Sequence, residues 1–179
     1  MTTENVPEDW KKAVIVAIFK GKGSSLDCSN YRGISLLSVP GKLFMRVLLN
    51  RVKPVIATKL REEQAGFRAG RSTVDQIFSI RRIIEKRWEY GLPTYCAFVD
   101  LQKAYDSVWR RALWRVAQSY DIPGKLIKLL QSWYEGITNC VKIDGEHSRW
   151  FGQKTGLRQG CVMSPSLFNI FIDDLLKEL

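Results

Sequence analysis

Phe98–Val108 reads FVDLQKAYDSV. With the residues just before it, Thr94–Val99 (TYCAFV), it forms a β-branched and aromatic run ending on an acid. That pattern predicts a buried strand that delivers Asp100 to its C-terminal end. There the carboxylate leaves the core and can meet solvent or a cation. Mg²⁺ takes hard oxygen ligands, usually one or two carboxylates plus the phosphate oxygens of a substrate. Tyr105 follows in the same turn, near enough to share a pocket. An Asp after a strand is more often a helix cap or loop residue, so the stretch gains meaning only from its companions.

The first companion is GLRQGCVMSPSLFNIFIDDLL, Gly156–Leu176. Gly156 and Gly160 bracket Leu157, Arg158 and Gln159 in a flexible polar loop that can present amides to a nucleotide or base pair. An ordinary glycine-rich loop before a helix fits equally well. Ser164 and Pro165 predict a cap and first-turn proline for a last helix through Leu167, Phe168, Phe171 and Leu175.

Further out, Ala13–Phe19 (AVIVAIF) predicts a strand, and Gly33–Ser38 (GISLLS) is apolar but ambiguous in backbone state. Pro40 suits the first turn of a helix through Lys42 to Val52, which Pro54 should break or kink. Gln64–Arg71 reads as a loop. Ser72 and Thr73, with Asp75 and Gln76 three residues on, carry a capping-box signature. The helix they start lines up Ile77, Ile80, Ile84 and Trp88 and ends at Gly91. Asp106 or Ser107 caps another helix, and Pro123 starts one carrying Leu126, Ile127, Leu129, Leu130 and Trp133. Asp144-Gly145 is a hairpin turn within Asn139–Phe151. Such a mixture is α+β or α/β, with a division near Gly91.

Composition bounds the chemistry. The chain has 179 residues and a formal net charge of +10. Residues 1–90 hold 17 basic and 9 acidic residues, against 11 and 9 in residues 91–179. Basic residues in the first half alternate with aromatics and glycines in FKGKG, NYRG and GFRAGR, which suits a phosphate-rich partner; a solvated basic face is the equal alternative. The longest apolar run is Ala13–Phe19, far short of the ~20 residues of a membrane helix. No signal or transit peptide is recognisable in the acidic first ten residues. Cys28, Cys96, Cys140 and Cys161 form no CxxC pair, and His147 is the single histidine. A zinc site and Ser-His-Asp or Cys-His catalysis therefore have little to build on, and reduced cysteines are expected.

In order, PEDWKKAVIVAIFKGKG, CSNYRGISLLSVPGKLFMRVLLNRV, EEQAGFRAGRSTVDQIF, AFVDLQKAYDSV and GLRQGCVMSPSLFNIFIDDL resemble the reverse transcriptases of non-LTR (LINE-type) retrotransposons across nearly the whole chain. The resemblance implies a right-hand polymerase fold of the α+β class. Residues 1–90 would be fingers-like and residues 91–179 a partial palm, with no thumb. It implies RNA-directed DNA polymerisation on an RNA template and DNA primer with deoxynucleoside triphosphates, through two Mg²⁺ (or Mn²⁺) ions. Asp100 matches the first metal-binding Asp, with the carbonyl of Leu101 a further ligand. Tyr105 matches the aromatic gate that crowds a ribose 2′-hydroxyl. Gln159 and Gly160 match the loop that positions nucleotide and template, and Arg32 a fingers residue near the triphosphate. Lys20, Lys22, Arg68 and Arg71 would be electrostatic contacts to nucleic acid or nucleotide, or else members of a solvated face. Ala17 and Gly33 stand where many relatives carry proline.

Phe171-Ile172-Asp173-Asp174 fits the family's [FY]xDD pattern literally. It lies inside the last helix by spacing, so it reads as a decoy, with both acids polar residues near that helix's end. In the family the true hairpin follows this helix. The expectation is a fragment with weak metal affinity and no efficient polymerisation by itself. A non-catalytic RNA-binding relic or domesticated domain is the competing reading, separable by Asp100→Ala. No membrane partner is expected. An intracellular location, nuclear or cytoplasmic, is implied by the family alone.

Overall fold

The computed structural model describes residues 5–178. A single turn, α1 (Glu8–Lys11), leads into strand β1 (Lys12–Phe19). After a short 3₁₀ turn at Cys28–Asn30, β2 (Tyr31–Leu37) returns antiparallel to it, with Ile18 opposite Arg32 and Ala13 opposite Leu37. The ambiguous GISLLS stretch is thus a strand, because β1 offers it a partner. On its other side β1 pairs in parallel with β3 (Thr138–Ile143), Val14 facing Cys140. Short strands β4 (Glu146–His147) and β5 (Phe151–Gly152) both pair with β3. Asp144 and Gly145 both adopt positive φ, 50° and 89°, as a type I′ hairpin turn requires.

Helices α2 (Val39–Ala57), α4 (Arg110–Ser119), α5 (Gly124–Tyr134) and α6 (Ser164–Leu175) build the core. α5 buries Leu126, Ile127, Leu129, Leu130 and Trp133, the residues its spacing singled out. Ser38 caps α2 by accepting from the Gly41 amide. Gly41 admits Trp133: a Cβ there would lie 2.8 Å from the indole. Pro54 does not end α2, which continues to Ala57. Val52 and Ile56 flank the proline, both buried, and their packing holds the last turn in place.

Three other local expectations are corrected. The segment Thr94–Val99 forms no strand among the described residues and is exposed throughout, with Tyr95, Phe98 and Val99 more than four-fifths accessible. β-Propensity needs a neighbouring ladder, and β1, β2 and β3 pair with one another instead. Asp106 and Ser107 do not cap α4, whose first turn has no side-chain cap. Their amides, and the Ser107 hydroxyl, donate to the Lys103 carbonyl in a tight turn. Ser164 is not a cap either; it is the first residue of α6, and its buried hydroxyl donates to the Arg158 carbonyl at 2.8 Å.

The helix α3 (Thr73–Glu89) begins as its sequence indicates: Ser72 caps it by accepting from the Val74 amide. It ends in a Schellman motif, with Gly91 at φ 63° and the Leu92 amide donating to Arg87. Its apolar stripe packs on nothing among the described residues, since Ile77, Ile80, Ile84 and Trp88 are all exposed. All four cysteines are free thiols. No helix among the described residues is long and apolar enough to cross a membrane.

Candidate functional site

The β1–β2 hairpin places Lys20 and Arg32 side by side. Lys20 follows β1 directly, its amide donating to Asn30 and its ammonium to the Ser29 carbonyl at 2.7 Å. Arg32 lies on the exposed face of β2. Both line a cleft of about 680 Å³, together with Asp100, Leu101, Asp106 and Gln159. Three cations (Lys103 is the third), two carboxylates and the side-chain amides of Gln102 and Gln159 therefore line one cleft, from three segments that lie far apart in sequence.

The cleft is held together by the loop Gly156–Gly160. The Leu157 amide donates to the Tyr105 carbonyl at 2.7 Å and the Gly156 amide to the Val108 carbonyl at 2.9 Å. On its other side the Ser35 amide donates to the Gln159 carbonyl at 2.6 Å, so the loop covers the free edge of β2. Both glycines are forced by contact. A Cβ on Gly156 would lie 2.6 Å from the Asp106 carbonyl oxygen, and one on Gly160 2.6 Å from that of Ser35. Arg110 fastens the approach to this loop through the carbonyls of Gly156, Tyr134, Gln153 and Thr155 at 2.8–3.2 Å.

The remaining candidates are placed elsewhere. Gly160 sits beneath Gln159 against β2, outside the cleft lining. Lys22 is exposed in the turn Gly21–Gly23, also away from the lining. Tyr105 is half-buried, and burial raises the pKa of its phenol. Its ring stacks on Phe168, centroids 4.9 Å apart and planes at 16°, and meets Phe67 edge-on at 6.5 Å. Ala104 and Asp106 on either side of it do line the cleft. Arg68 donates to the carbonyls of Arg61 and Ala57, the latter at the end of α2, and Arg71 pairs with Glu62.

Asp173 lies inside α6, as the decoy reading holds, and is a buried structural acid. It accepts from the Tyr120 hydroxyl and, at 3.2–3.3 Å, from Arg61. Burial pushes its pKa up, and the bonds from Tyr120 and Arg61 pull it further down, to a net fall.

Three groups were not legible in sequence. Asp106 looked like a cap and is a second cleft carboxylate. Arg110 carries no sequence signal of its own and Arg158 reads only as part of a flexible polar loop, yet both turn inward. The only advance signal was the pair of glycines that bracket Arg158.

No group of three or more His, Cys, Asp or Glu side chains able to hold a metal occurs among the described residues. Asp100, Leu101 and Asp106 line the cleft, bringing two carboxylic acids to it. Such a set fits a hard divalent ion that shares its coordination with phosphate oxygens, and does not fit a closed protein cage.

The fold is shared with a solved structure. Telomerase from Candida tropicalis, solved in apo form, superposes with a TM-score of 0.59 at 16% identity, covering 98% of this chain and 40% of that one. Residues 18–179 match the family described as reverse transcriptase (RNA-dependent DNA polymerase), and the chain belongs to that family. It is 31% identical over 171 residues to a probable RNA-directed DNA polymerase from transposon BS of Drosophila melanogaster. It is likewise 31% identical over 176 residues to the RNA-directed DNA polymerase from mobile element jockey of the same species. Each match covers 94% of this chain, which spans only 19% of the relative's length. The resemblance read from the five motifs is thereby borne out.

Proposed function

We propose that this chain contributes the nucleotide-binding part of an RNA-directed DNA polymerase, with residues 1–90 as the fingers-like portion and residues 91–179 as palm. The observation that carries it is the convergence of Lys20, Arg32, Asp100 and Gln159 on one cleft. Lys20 and Arg32 suit the β- and γ-phosphates of an incoming deoxynucleotide, Arg32 through its planar fork. Asp100, with the Leu101 carbonyl, would hold Mg²⁺ or Mn²⁺, and Asp106 supplies a further carboxylate. When bound, the metal neutralises phosphate charge and polarises the reacting oxygens. The Gln159 amide orients the base pair, and its carbonyl ties that orientation to β2. Tyr105, braced by Phe168, supports the floor of the sugar site, where an aromatic wall discriminates against a 2′-hydroxyl. Lys22 extends the basic rim toward template or primer phosphates. Arg68 and Arg71 act mainly on the fold of their own loop, and their remaining charge adds to the field that attracts nucleic acid.

The test is binding of deoxythymidine triphosphate with Mg²⁺ to the chain carrying an RNA template annealed to a DNA primer. Arg32→Ala and Asp100→Ala should each weaken it by roughly tenfold or more, as expected for loss of a charge-assisted contact. Salt-dependent RNA binding with no response of nucleotide affinity to either substitution would replace this reading with that of a binding domain.

A further inference from the structure

Arg158 is the least expected residue of the GLRQG loop. It is 1% exposed, although arginine is almost never fully buried without a partner. Its Nη2 donates to the carbonyl of Lys11, where α1 meets β1. Its guanidinium lies over the Trp133 ring, 5.6 Å from the centroid. Nε and Nη1 are buried with no hydrogen-bond partner among the described residues. No carboxylate pairs with it among the described residues: the titratable groups near it are Tyr134 and Cys161, both kept neutral by burial, and the cation Arg110, and burial lowers its pKa to about 10.

A buried cation without a counter-charge costs stability rather than supplying it. Its backbone shows what that cost secures. The Arg158 carbonyl accepts from the Ser164 hydroxyl and the Cys161 amide, and the next residue's carbonyl accepts from Ser35. With the Arg158 side chain anchored inward to Lys11 and Trp133, Gln159 is left as the loop's side chain in the cleft. We infer that Arg158 is a positioning residue that sets the orientation of Gln159 toward the incoming nucleotide, at the expense of fold stability. This rests on the cleft being the nucleotide site.

The experiment pairs thermal melting with a double-mutant cycle on deoxythymidine triphosphate affinity, measured with Mg²⁺ on the RNA–DNA-loaded chain. Arg158→Met should melt no lower than the parent, because removal of the unpaired charge offsets the lost bond to Lys11. Its affinity should fall about tenfold, as for a misplaced orienting group. Gln159→Ala should fall similarly, and the double variant should be no weaker than Gln159→Ala alone. An unchanged affinity in Arg158→Met, or losses that add, overturns the inference. If Arg158→Met does not fold, the claim about stability fails. Arg158→Lys, which keeps the charge but has no plane to lie over Trp133, then carries the affinity cycle, and additivity there overturns the rest. A parent chain that binds no nucleotide refutes the cleft reading itself, and the role of Arg158 falls with it; that outcome is told apart because it appears before any substitution is made.

Discussion

The amide of Ser35 donates to the carbonyl of Gln159 at 2.6 Å, joining the strand that carries Arg32 to the loop that carries Gln159. One backbone bond thus fixes the spacing of two cleft residues that lie far apart in sequence. Gly160 makes this approach feasible, with φ 111° and no room for a Cβ. Gly160→Ala should cost on the order of 2 kcal/mol in urea unfolding, combining backbone strain with a clash against a strand carbonyl that cannot move aside. It should also abolish nucleotide binding. A variant that keeps the parent's urea midpoint would show that the loop does not dock this way.

Asp100 should change the sign of its effect with metal. Asp100 lines the cleft; on the proposed reading its carboxylate would repel a triphosphate without Mg²⁺ and would help hold the ion once Mg²⁺ is present. Asp100→Asn is therefore expected to bind nucleotide more tightly than the parent in a chelator and about tenfold more weakly once Mg²⁺ is added. Titrations in the two buffers check this, and equal behaviour in both would remove Asp100 from the metal site.

Asp173 and Asp174 should separate cleanly. Asp173 is buried against Tyr120 and Arg61, whereas Asp174 is partly exposed beside Lys177. Asp173→Asn should lose roughly 1–3 kcal/mol of stability, and Asp174→Asn less than about 0.5. Urea midpoints at neutral pH decide it.

The same carboxyl predicts an acid-side slope. Its pKa is lower in the folded than in the unfolded chain, so its contribution is complete above about pH 4 and is lost as pH falls through the folded value. Asp173→Asn should flatten that part of the stability curve. Midpoints measured between pH 5 and pH 2.5 report it, and parallel curves for parent and variant would contradict it.

Helix α3 should be nearly silent. Ile77→Ser and Ile84→Ser touch exposed side chains and should shift stability by less than about 0.5 kcal/mol. Leu130→Ala, in the centre of the core, should cost about 2–5 kcal/mol. A large loss at Ile77 or Ile84 in melting experiments would mean that their side chains are covered in solution.

What this chain's sequence determines alone is what neighbouring residues settle among themselves. Ser72 and Gly91 bound α3, Pro40 enters α2, and Asp144-Gly145 turns the hairpin, because caps and turns satisfy backbone groups within a few residues. The ordered motifs also identify the family, and they named five residues that the fold brings to one cleft. Tertiary structure decided whatever needed a distant partner. Thr94–Val99 has the composition of a strand but no ladder, while GISLLS became one because β1 lay beside it. Pro54 is tolerated because Val52 and Ile56 are packed, and Ser164 forgoes capping to bind the Arg158 carbonyl. The inward turn of Arg158 is the extreme case. A charge reads as surface in any local window, and only the juxtaposition of Lys11, Trp133 and the β2 edge buries it.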